Sequence, residues 1–310
     1  MKSPRVAAYV SVILAMIFWG FTFVLYKYAN LSFRPTSIIF FRLFVSIFFL
    51  FGFAFLFRRL GKISRRDQKW FLLMAFFEPF IYFLGEANGM TLVTPTVGAI
   101  IISTIPLIVP FGAYLFFKER LTLFNQVGLV ISFAGVMMVI LTRSDGLIAE
   151  PRGIMLMFLA VAGAVGYTLI AKKLLADYNP ITITAYQSLY GLLMFTPFFL
   201  ILELPDLEPS AISTPSLLAV LYLGVVGSGI CFILLNMAMR ELGAARANIF
   251  ANIVPVVAAL VSFLMLSEPM PWLKILGIVV TIIGLFMSQI GGLQAKRGLR
   301  KNGIPHPPYS

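Results

Sequence analysis

The sequence predicts an all-α membrane protein in which ten transmembrane helices form two inverted repeats of five, with both termini in the cytoplasm. Three observations predict this fold class. The chain of 310 residues is 60% hydrophobic and only 12% charged, with a mean hydropathy of +0.97, whereas soluble domains are about half apolar and about a quarter charged. Apolar segments of membrane-spanning length recur along the chain. The two halves of the sequence also match each other in register.

Ten apolar segments have the length of membrane spans, because a helix of about 20 apolar residues crosses the hydrocarbon core of a bilayer. They run from about 6 to 28, 36 to 57, 70 to 90, 94 to 117, 124 to 142, 153 to 174, 181 to 203, 216 to 239, 245 to 267 and 272 to 291. The first segment has the basic flank of a signal peptide, but its apolar stretch is too long and continues into more membrane sequence. We therefore expect an uncleaved first span.

Lysine and arginine residues outside the spans predict the orientation of the chain. Eighteen of them fall on the side of both termini and four fall on the other side. Cytoplasmic loops of membrane proteins carry the excess of positive charge, so we expect both termini in the cytoplasm and the loop with Glu203, Asp206 and Glu208 outside. The net charge of +12 then reflects topology, and we expect no nucleic-acid partner.

An internal repeat relates the two halves. Four residues recur at one offset of 149 positions: Pro106 as Pro255, Glu119 as Glu268, Gly128 as Gly277 and Gly135 as Gly284. Because five helices are an odd number, the second copy enters the membrane from the opposite side and forms an inverted repeat. We predict repeats over residues 1–145 and 146–292, followed by a basic polar cytoplasmic tail over 293–310. The glycine pairs predict close helix packing within the monomer or a dimer surface.

Several stretches resemble a known family of carriers. They are "FWGFTFVLYK" in the first span, "FRLFVSIFF" in the second, and "TPTVGAIIISTIPLIVPFGAYLFFKERLTLFNQVGLVISFAGVMMV" over the fourth and fifth. With the repeat, they resemble the drug/metabolite transporter superfamily, in particular its EamA-type members with ten transmembrane helices, over about residues 6 to 290. The resemblance implies a carrier, commonly an exporter of amino acids, other metabolites or drugs. It places the substrate cavity between helices 1, 3, 4 and 6, 8, 9 and leaves the substrate open.

Glu78 is a charged residue deep inside the third span. It lies eight residues from the inner end, or about 12 Å, where a charge costs at least about 2.5 kcal/mol. Pro79 follows it and disfavours helical geometry at Glu78. We predict a protonatable site that couples transport to protons or binds a substrate ammonium group. A hydrogen-bonded glutamate that ties helices together is the structural alternative.

Glu86 and Arg42 lie at similar depth, near the outer ends of the third and second spans. Opposite charges at one depth offset the desolvation penalty of each other, so we predict a structural ion pair between them. Direct contact of both side chains with the substrate is the alternative.

Other polar and aromatic side chains in the spans are candidates for lining the cavity, although aromatic residues there also pack or sit at the membrane interface. The predicted substrate-binding residues are Trp19, Glu78, Tyr82, Tyr167, Tyr186, Gln187, Tyr190, Asn236, Asn248 and Asn252. Pro106 and Pro255 predict kinks that act as hinges for alternating access or as fixed bends. For Glu119 and Glu268 at helix ends, we expect capping or surface pairing rather than substrate binding.

The leading hypothesis is a secondary or facilitative carrier that exports small organic metabolites across the cell membrane, with protons as a hypothetical coupling ion. We expect no cofactor, metal or enzymatic activity, because Cys231 and His306 are the only cysteine and histidine and no GxxxxGKS phosphate loop occurs. An intramembrane lipid-modifying enzyme and a channel or structural subunit are the alternatives. Monomer and homodimer both stay open.

Overall fold

The computed structural model describes residues 4–89, 92–93, 101–119, 121–141, 150–266 and 270–301. The regular secondary structure of these residues is helical, as the composition predicts. Glu268, His306 and the end of the predicted tail lie outside the described residues.

In the first part of the chain, six α-helices lie within the residues that the structure describes. They are α1 (Pro4–Ala29), α2 (Pro35–Leu56), α3 (Gln68–Ala75), α4 (Tyr82–Gly89), α5 (Ile105–Phe117) and α6 (Leu123–Leu141). A π-helical turn, Phe76–Ile81, joins α3 to α4. The third predicted span is therefore one helix that this π-helical turn interrupts.

In the second part, the described residues form seven α-helices. They are α7 (Pro151–Leu174), α8 (Pro180–Phe198), α9 (Thr214–Tyr222), α10 (Cys231–Leu242), α11 (Ala244–Ile249), α12 (Ile253–Leu266) and α13 (Trp272–Lys301). A π-helical segment, Leu223–Ile230, joins α9 to α10, and a 3₁₀ turn, Phe250–Asn252, joins α11 to α12. Irregular turns thus interrupt long apolar helices in both parts of the chain.

Proline marks the start of several helices. Pro35, Pro151 and Pro180 are the first residues of α2, α7 and α8, where a missing amide hydrogen costs no hydrogen bond and the fixed φ suits a helix. The side chain of Asn179 also accepts a hydrogen bond from Thr182 N at 2.9 Å at the start of α8. Local sequence therefore fixes where these helices begin.

Seven helices in the described residues are long and apolar enough to cross a membrane. They are Arg5–Ala29, Pro35–Leu56, Gln68–Gly89, Pro151–Leu174, Pro180–Asp206, Thr214–Leu242 and Ala244–Met265. Three further apolar helices are shorter: Ile105–Phe117, Leu123–Met138 and Trp272–Ser288. The chain is thus a multi-pass membrane protein, while ten spans and the inverted repeat stay predictions.

Helices α6 and α13 pack with their backbones in contact. A Cβ atom on Gly135 would lie 2.6 Å from Thr281 Oγ1 and 2.7 Å from Gly277 O, so only glycine fits there. Asn125 at the start of α6 donates a hydrogen bond to the carbonyl oxygen of Ser288 in α13. The predicted glycine pairs therefore serve packing inside the chain.

The largest buried cluster fills one end of the helix bundle. We call this the inner end, because its residues come from the predicted cytoplasmic parts of α1, α3, α7 and α10. The cluster includes Val12, Met16, Phe71, Leu174 and Met239, each at most 3% exposed. The turn between α1 and α2 lies at the opposite, outer end. The candidate site lies between the helices, directly above this packed inner end.

Candidate functional site

A cavity of about 710 Å³ lies between the helices, above the inner cluster. It extends from Met16 in α1 to Asn30 and Arg34 in the turn between α1 and α2. This volume lies within the range of about 300 to 1,000 Å³ that is typical of small-molecule sites. Its polar lining, counted with tryptophan and tyrosine, comprises Trp19, Thr22, Tyr26, Lys27, Asn30, Arg34, Arg42, Glu78, Tyr82, Glu86, Ser103, Tyr167, Thr168, Asn248, Ser262 and Lys274.

Glu78 reaches this cavity because the helix breaks at its position. Its backbone is extended, with φ −148° and ψ 117°, inside the π-helical turn between α3 and α4. Pro79 lacks an amide hydrogen and crowds the preceding residue, which accounts for the break that the sequence predicts. The Glu78–Pro79 peptide bond is cis. The extended backbone at Glu78 thus interrupts the helix at the point where this side chain lines the cavity.

Glu78 is buried, and its side chain lines the cavity. The residue is only 7% exposed. Within the described part of the chain, no side chain or amide donates a hydrogen bond to it. A buried carboxylate is costly without a partner, and the predicted binding of a proton or a cationic group at Glu78 stays a prediction.

Tyr82 and Glu86 form a second polar group on α4, one turn apart. The hydroxyl of Tyr82 donates a hydrogen bond to Glu86 Oε1 at 2.9 Å. Both residues line the same cavity as Glu78. Glu86 is thus partly satisfied by its own helix.

Arg42 enters the cavity from α2 with partners of its own. Its Nε donates to Ser228 Oγ at 2.9 Å, and its guanidinium lies over the ring of Phe83, 4.2 Å from the centroid. The ion pairs within 4 Å between described residues do not include Arg42 with Glu86. The predicted direct pair is absent because Ser228 and Phe83 turn the guanidinium elsewhere. The side chains of Arg42 and Glu86 both line the same cavity.

Five of the ten predicted substrate-binding residues line the cavity: Trp19, Glu78, Tyr82, Tyr167 and Asn248. Trp19 Nε1 donates to the carbonyl oxygen of Gly227 at 3.0 Å, and the Tyr167 hydroxyl donates to Asn236 Oδ1 at 3.1 Å. Their polar atoms are therefore occupied by the protein. These two residues offer a ligand mainly ring surface.

The other five predicted residues lie outside the lining. Asn236 links Tyr167 to Thr184 Oγ1, and Asn252 Nδ2 donates to Ser132 Oγ at 3.1 Å. Gln187 is buried at 2% exposure. Tyr186 and Tyr190 pack against the inner cluster. A polar residue in a span satisfies its hydrogen bonds between helices as readily as in a cavity, which explains why sequence alone cannot separate the two groups.

The predicted hinge prolines stand at helix starts. Pro106 is the second residue of α5, and Pro255 is the third residue of α12. Within the span Ala244–Met265, Pro255 follows the 3₁₀ turn Phe250–Asn252 that interrupts the α-helix, and the kinks at both prolines stay predictions. Pro255 lines the cavity. The hinge role of both residues stays a prediction.

Tyr26 is a lining residue that the sequence reading missed. Its hydroxyl is buried and has no hydrogen-bond partner among the described residues. Trp19, Thr22 and Tyr26 follow one another at helical spacing, so they share one face of α1. This helical spacing indicates that Tyr26 lines the cavity together with Trp19.

Arg34 lies at the outer rim of the cavity and donates a hydrogen bond to Asp206 Oδ2 at 2.6 Å.

Comparison with known proteins identifies the family. The model of the EamA-like transporter family matches residues 6–141 and 151–289. An uncharacterized transporter of Archaeoglobus fulgidus is 28% identical over 276 residues, which cover 88% of this chain and 95% of that protein. The uncharacterized transporter YcxC of Bacillus subtilis is 26% identical in an alignment of 321 positions, which covers 98% of this chain and 98% of that protein.

One solved crystal structure has the same fold. It superposes with a TM-score of 0.78 over 94% of this chain and 99% of the other, at 16% sequence identity. Such low identity bears on the fold alone. The family model covers most of the chain, and the resemblance seen in the sequence is confirmed: the chain belongs to the EamA-like transporter family of the drug/metabolite transporter superfamily.

Proposed function

We propose that this transporter exports small organic metabolites from the cell, such as amino acids or related compounds, drugs included, by alternating access between two inverted repeats. It acts as a secondary or facilitative carrier in the plasma membrane. The observation that carries the proposal is a cavity of about 710 Å³ that reaches the outer turn and ends on a packed cluster at the inner end. A carrier caught open to one side has this shape.

The surroundings of Glu78 support substrates with an amino group. The carboxylates of Glu78 and Glu86 line the cavity, and the basic side chains of Lys27, Arg34, Arg42 and Lys274 line it as well. Tyr82 already donates to Glu86, whereas Glu78 has no hydrogen-bond donor among the described residues. A cationic nitrogen of the substrate would therefore give the Glu78 carboxylate the partner that it lacks away from water. Ring surfaces of Trp19 and Tyr167 would contact the apolar part of the substrate.

Glu78 is also the group that would couple transport to protons. The Glu78 carboxylate would bind either a proton or the ammonium group of the substrate. It would exchange one for the other when the cavity opens to the opposite side of the membrane. Glutamine at this position keeps the shape and loses the titration. We therefore expect Glu78→Gln to abolish any dependence of transport on a pH gradient.

The test is counterflow in proteoliposomes that contain the purified protein. Candidate metabolites are first identified by a toxicity screen in cells that overexpress it, where export appears as resistance. We expect saturable uptake of labelled substrate against unlabelled substrate inside, and loss of its pH dependence in Glu78→Gln.

Glu203→Gln is the matched control. Glu203 is another buried carboxylate, but it accepts three hydrogen bonds from Thr36 and Ser37 and does not line the main cavity. The control should keep its pH dependence. Equal pH dependence in the parent and in Glu78→Gln would refute coupling at Glu78, and flux that does not saturate would refute the carrier itself.

A further inference from the structure

The inner end of the molecule carries a polar contact between helix ends. Both carboxylate oxygens of Glu119, just after α5, accept backbone hydrogen bonds at the start of α11. Oε1 accepts from Ala244 N at 3.1 Å and Oε2 accepts from Ala245 N at 3.0 Å. The side chain of Glu119 is only 16% exposed. A carboxylate that binds two amides in this way makes strong, charge-assisted hydrogen bonds.

The backbone on both sides is shaped for this contact. Lys118 ends α5 in the left-handed conformation, with φ 55°, and Glu119 N donates back to the carbonyl oxygen of Ala113. Gly243 has φ 92° and ψ 160°, which residues other than glycine avoid. A Cβ atom at Gly243 would also lie 2.9 Å from both oxygens of Glu119. Position 243 therefore requires glycine for two independent reasons.

Lys172 completes the contact from the end of α7. Its Nζ donates to the carbonyl oxygen of Met239 at 3.1 Å and lies 3.9 Å from Glu119 Oε1. One lysine thus neutralises the carboxylate and caps the last turn of α10. Glu119 belongs to the first predicted repeat, and the groups it contacts belong to the second. We call Glu119, Lys172 and the amides of Ala244 and Ala245 the inner latch.

One side chain connects the inner latch to the cavity. Asn248 lines the cavity, and its Nδ2 donates to the carbonyl oxygen of Ala244 at 3.0 Å. The residue whose amide binds Glu119 therefore also binds Asn248 through its carbonyl group. A substrate that takes a hydrogen bond from Asn248 would release this carbonyl and loosen the first turn of α11.

We propose that the inner latch holds the inner end of the cavity closed, and that Asn248 couples its release to the occupant of the cavity. The inference rests on the proposed alternating-access function, because a latch of this kind matters only if the inner end opens. Glu119 and Asn248 are positioning residues in this account. They set which side the cavity faces.

The test measures access to the two ends with thiol reagents, without any substrate. In a Cys231→Ser background, a cysteine at Val12 reports the inner end and a cysteine at Ser262 reports the cavity. Val12 is fully buried in the inner cluster, and Ser262 lines the cavity. Impermeant reagents are applied to inside-out and right-side-out vesicles. We expect Glu119→Gln to raise labelling of Val12→Cys from inside about tenfold, equivalent to about 1.4 kcal/mol, and to lower labelling of Ser262→Cys from outside.

Glu203→Gln is again the control, since it removes the charge of a carboxylate that binds the amides of Thr36 and Ser37 at the other end. General destabilisation raises labelling at both reporters, whereas release of the inner latch moves them in opposite directions. The inference is overturned if the two reporter cysteines are labelled to the same extent in Glu119→Gln as in Glu203→Gln. If instead no metabolite is transported while the opposite shifts appear, the proposed function fails and the latch stands.

A second variant pair keeps the test independent of folding in Glu119→Gln. Cysteines at Glu119 and Ala245, joined by a short cleavable bifunctional thiol reagent, should stop counterflow. Cleavage of the reagent should restore it. Undiminished counterflow in the cross-linked protein would show that the inner end does not open at this contact.

Discussion

Arg42 Nε donates a hydrogen bond to Ser228 Oγ, 2.9 Å away, and so joins α2 to the π-helical segment before α10. The bond links the two predicted repeats at the wall of the cavity. Removing it leaves a buried guanidinium with one donor unsatisfied, which costs about 1 to 3 kcal/mol. We expect Ser228→Ala to lower the midpoint of thermal unfolding in detergent by several degrees and to slow counterflow.

Arg42→Lys is the companion variant. It keeps the charge but loses the planar group that lies over Phe83 at 4.2 Å. We expect slower counterflow than in Ser228→Ala, because both the hydrogen bond and the stacking are lost. Parent-like unfolding and transport in both variants would show that this contact is incidental.

The hydrogen bond from Tyr82 to Glu86 sets how freely Glu86 meets the substrate. Tyr82→Phe removes the hydroxyl and leaves the ring in place. We expect the substrate concentration that gives half-maximal counterflow to change by roughly threefold to tenfold. This factor corresponds to the energy of one ordinary hydrogen bond. Tyr222→Phe, which loses a hydrogen bond to Phe18 O outside the cavity lining, should leave this concentration unchanged. The same shift in both variants would contradict a local role for Tyr82.

Close packing of α6 on α13 predicts opposite effects of two glycine-to-alanine changes. Gly135→Ala places a methyl group against Thr281 and Gly277 and should destabilise the protein by about 1 to 3 kcal/mol. Gly52→Ala in α2 meets no atom within 4 Å and should stabilise by about 0.5 to 1 kcal/mol, because alanine favours a helix. Thermal unfolding in detergent measures both. Equal changes in the two variants would mean that the helices do not touch as described.

Asp67, in the loop before α3, predicts a pH dependence of stability. Hydrogen bonds from Ser64 and Tyr178 lower the pKa of its carboxyl below the ordinary value of 3.8. A depressed folded pKa contributes stability that is complete above the unfolded pKa and is lost as pH falls through the folded value. Tyr178→Phe raises the pKa of Asp67 towards 3.8, so it should lower stability at pH 7 and have less effect at pH about 3.

The control for this prediction is Ser213→Ala, which removes a helix cap without any carboxylate. Its cost should be the same at both pH values. A Tyr178→Phe variant that is equally destabilised at pH 7 and pH about 3 would rule out the bond to Asp67 as the cause.

The sequence predicts backbone features well where one residue controls them. Pro79 predicts the break at Glu78, and the glycines of α6 and α13 predict backbone contact. The family resemblance follows from ordered motifs and is confirmed by the family model. These features depend on local stereochemistry, which a single sequence contains.

Side-chain partners are predicted less well. Arg42 and Glu86 share a depth, but the direction of the guanidinium depends on Ser228, 186 residues away. Asn236 and Asn252 each donate a hydrogen bond to a side chain of another helix rather than into the cavity. These choices depend on which helices become neighbours, and periodicity in one sequence does not contain that information.

The glycine contact of α6 with α13 also limits how the molecule can move. No side chains separate the two backbones at Gly128 and Gly135, so the pair cannot slide lengthwise without collisions with Ser288 and Thr281. We therefore expect α6 and α13 to move together as one rigid unit in any rearrangement of the surrounding helices.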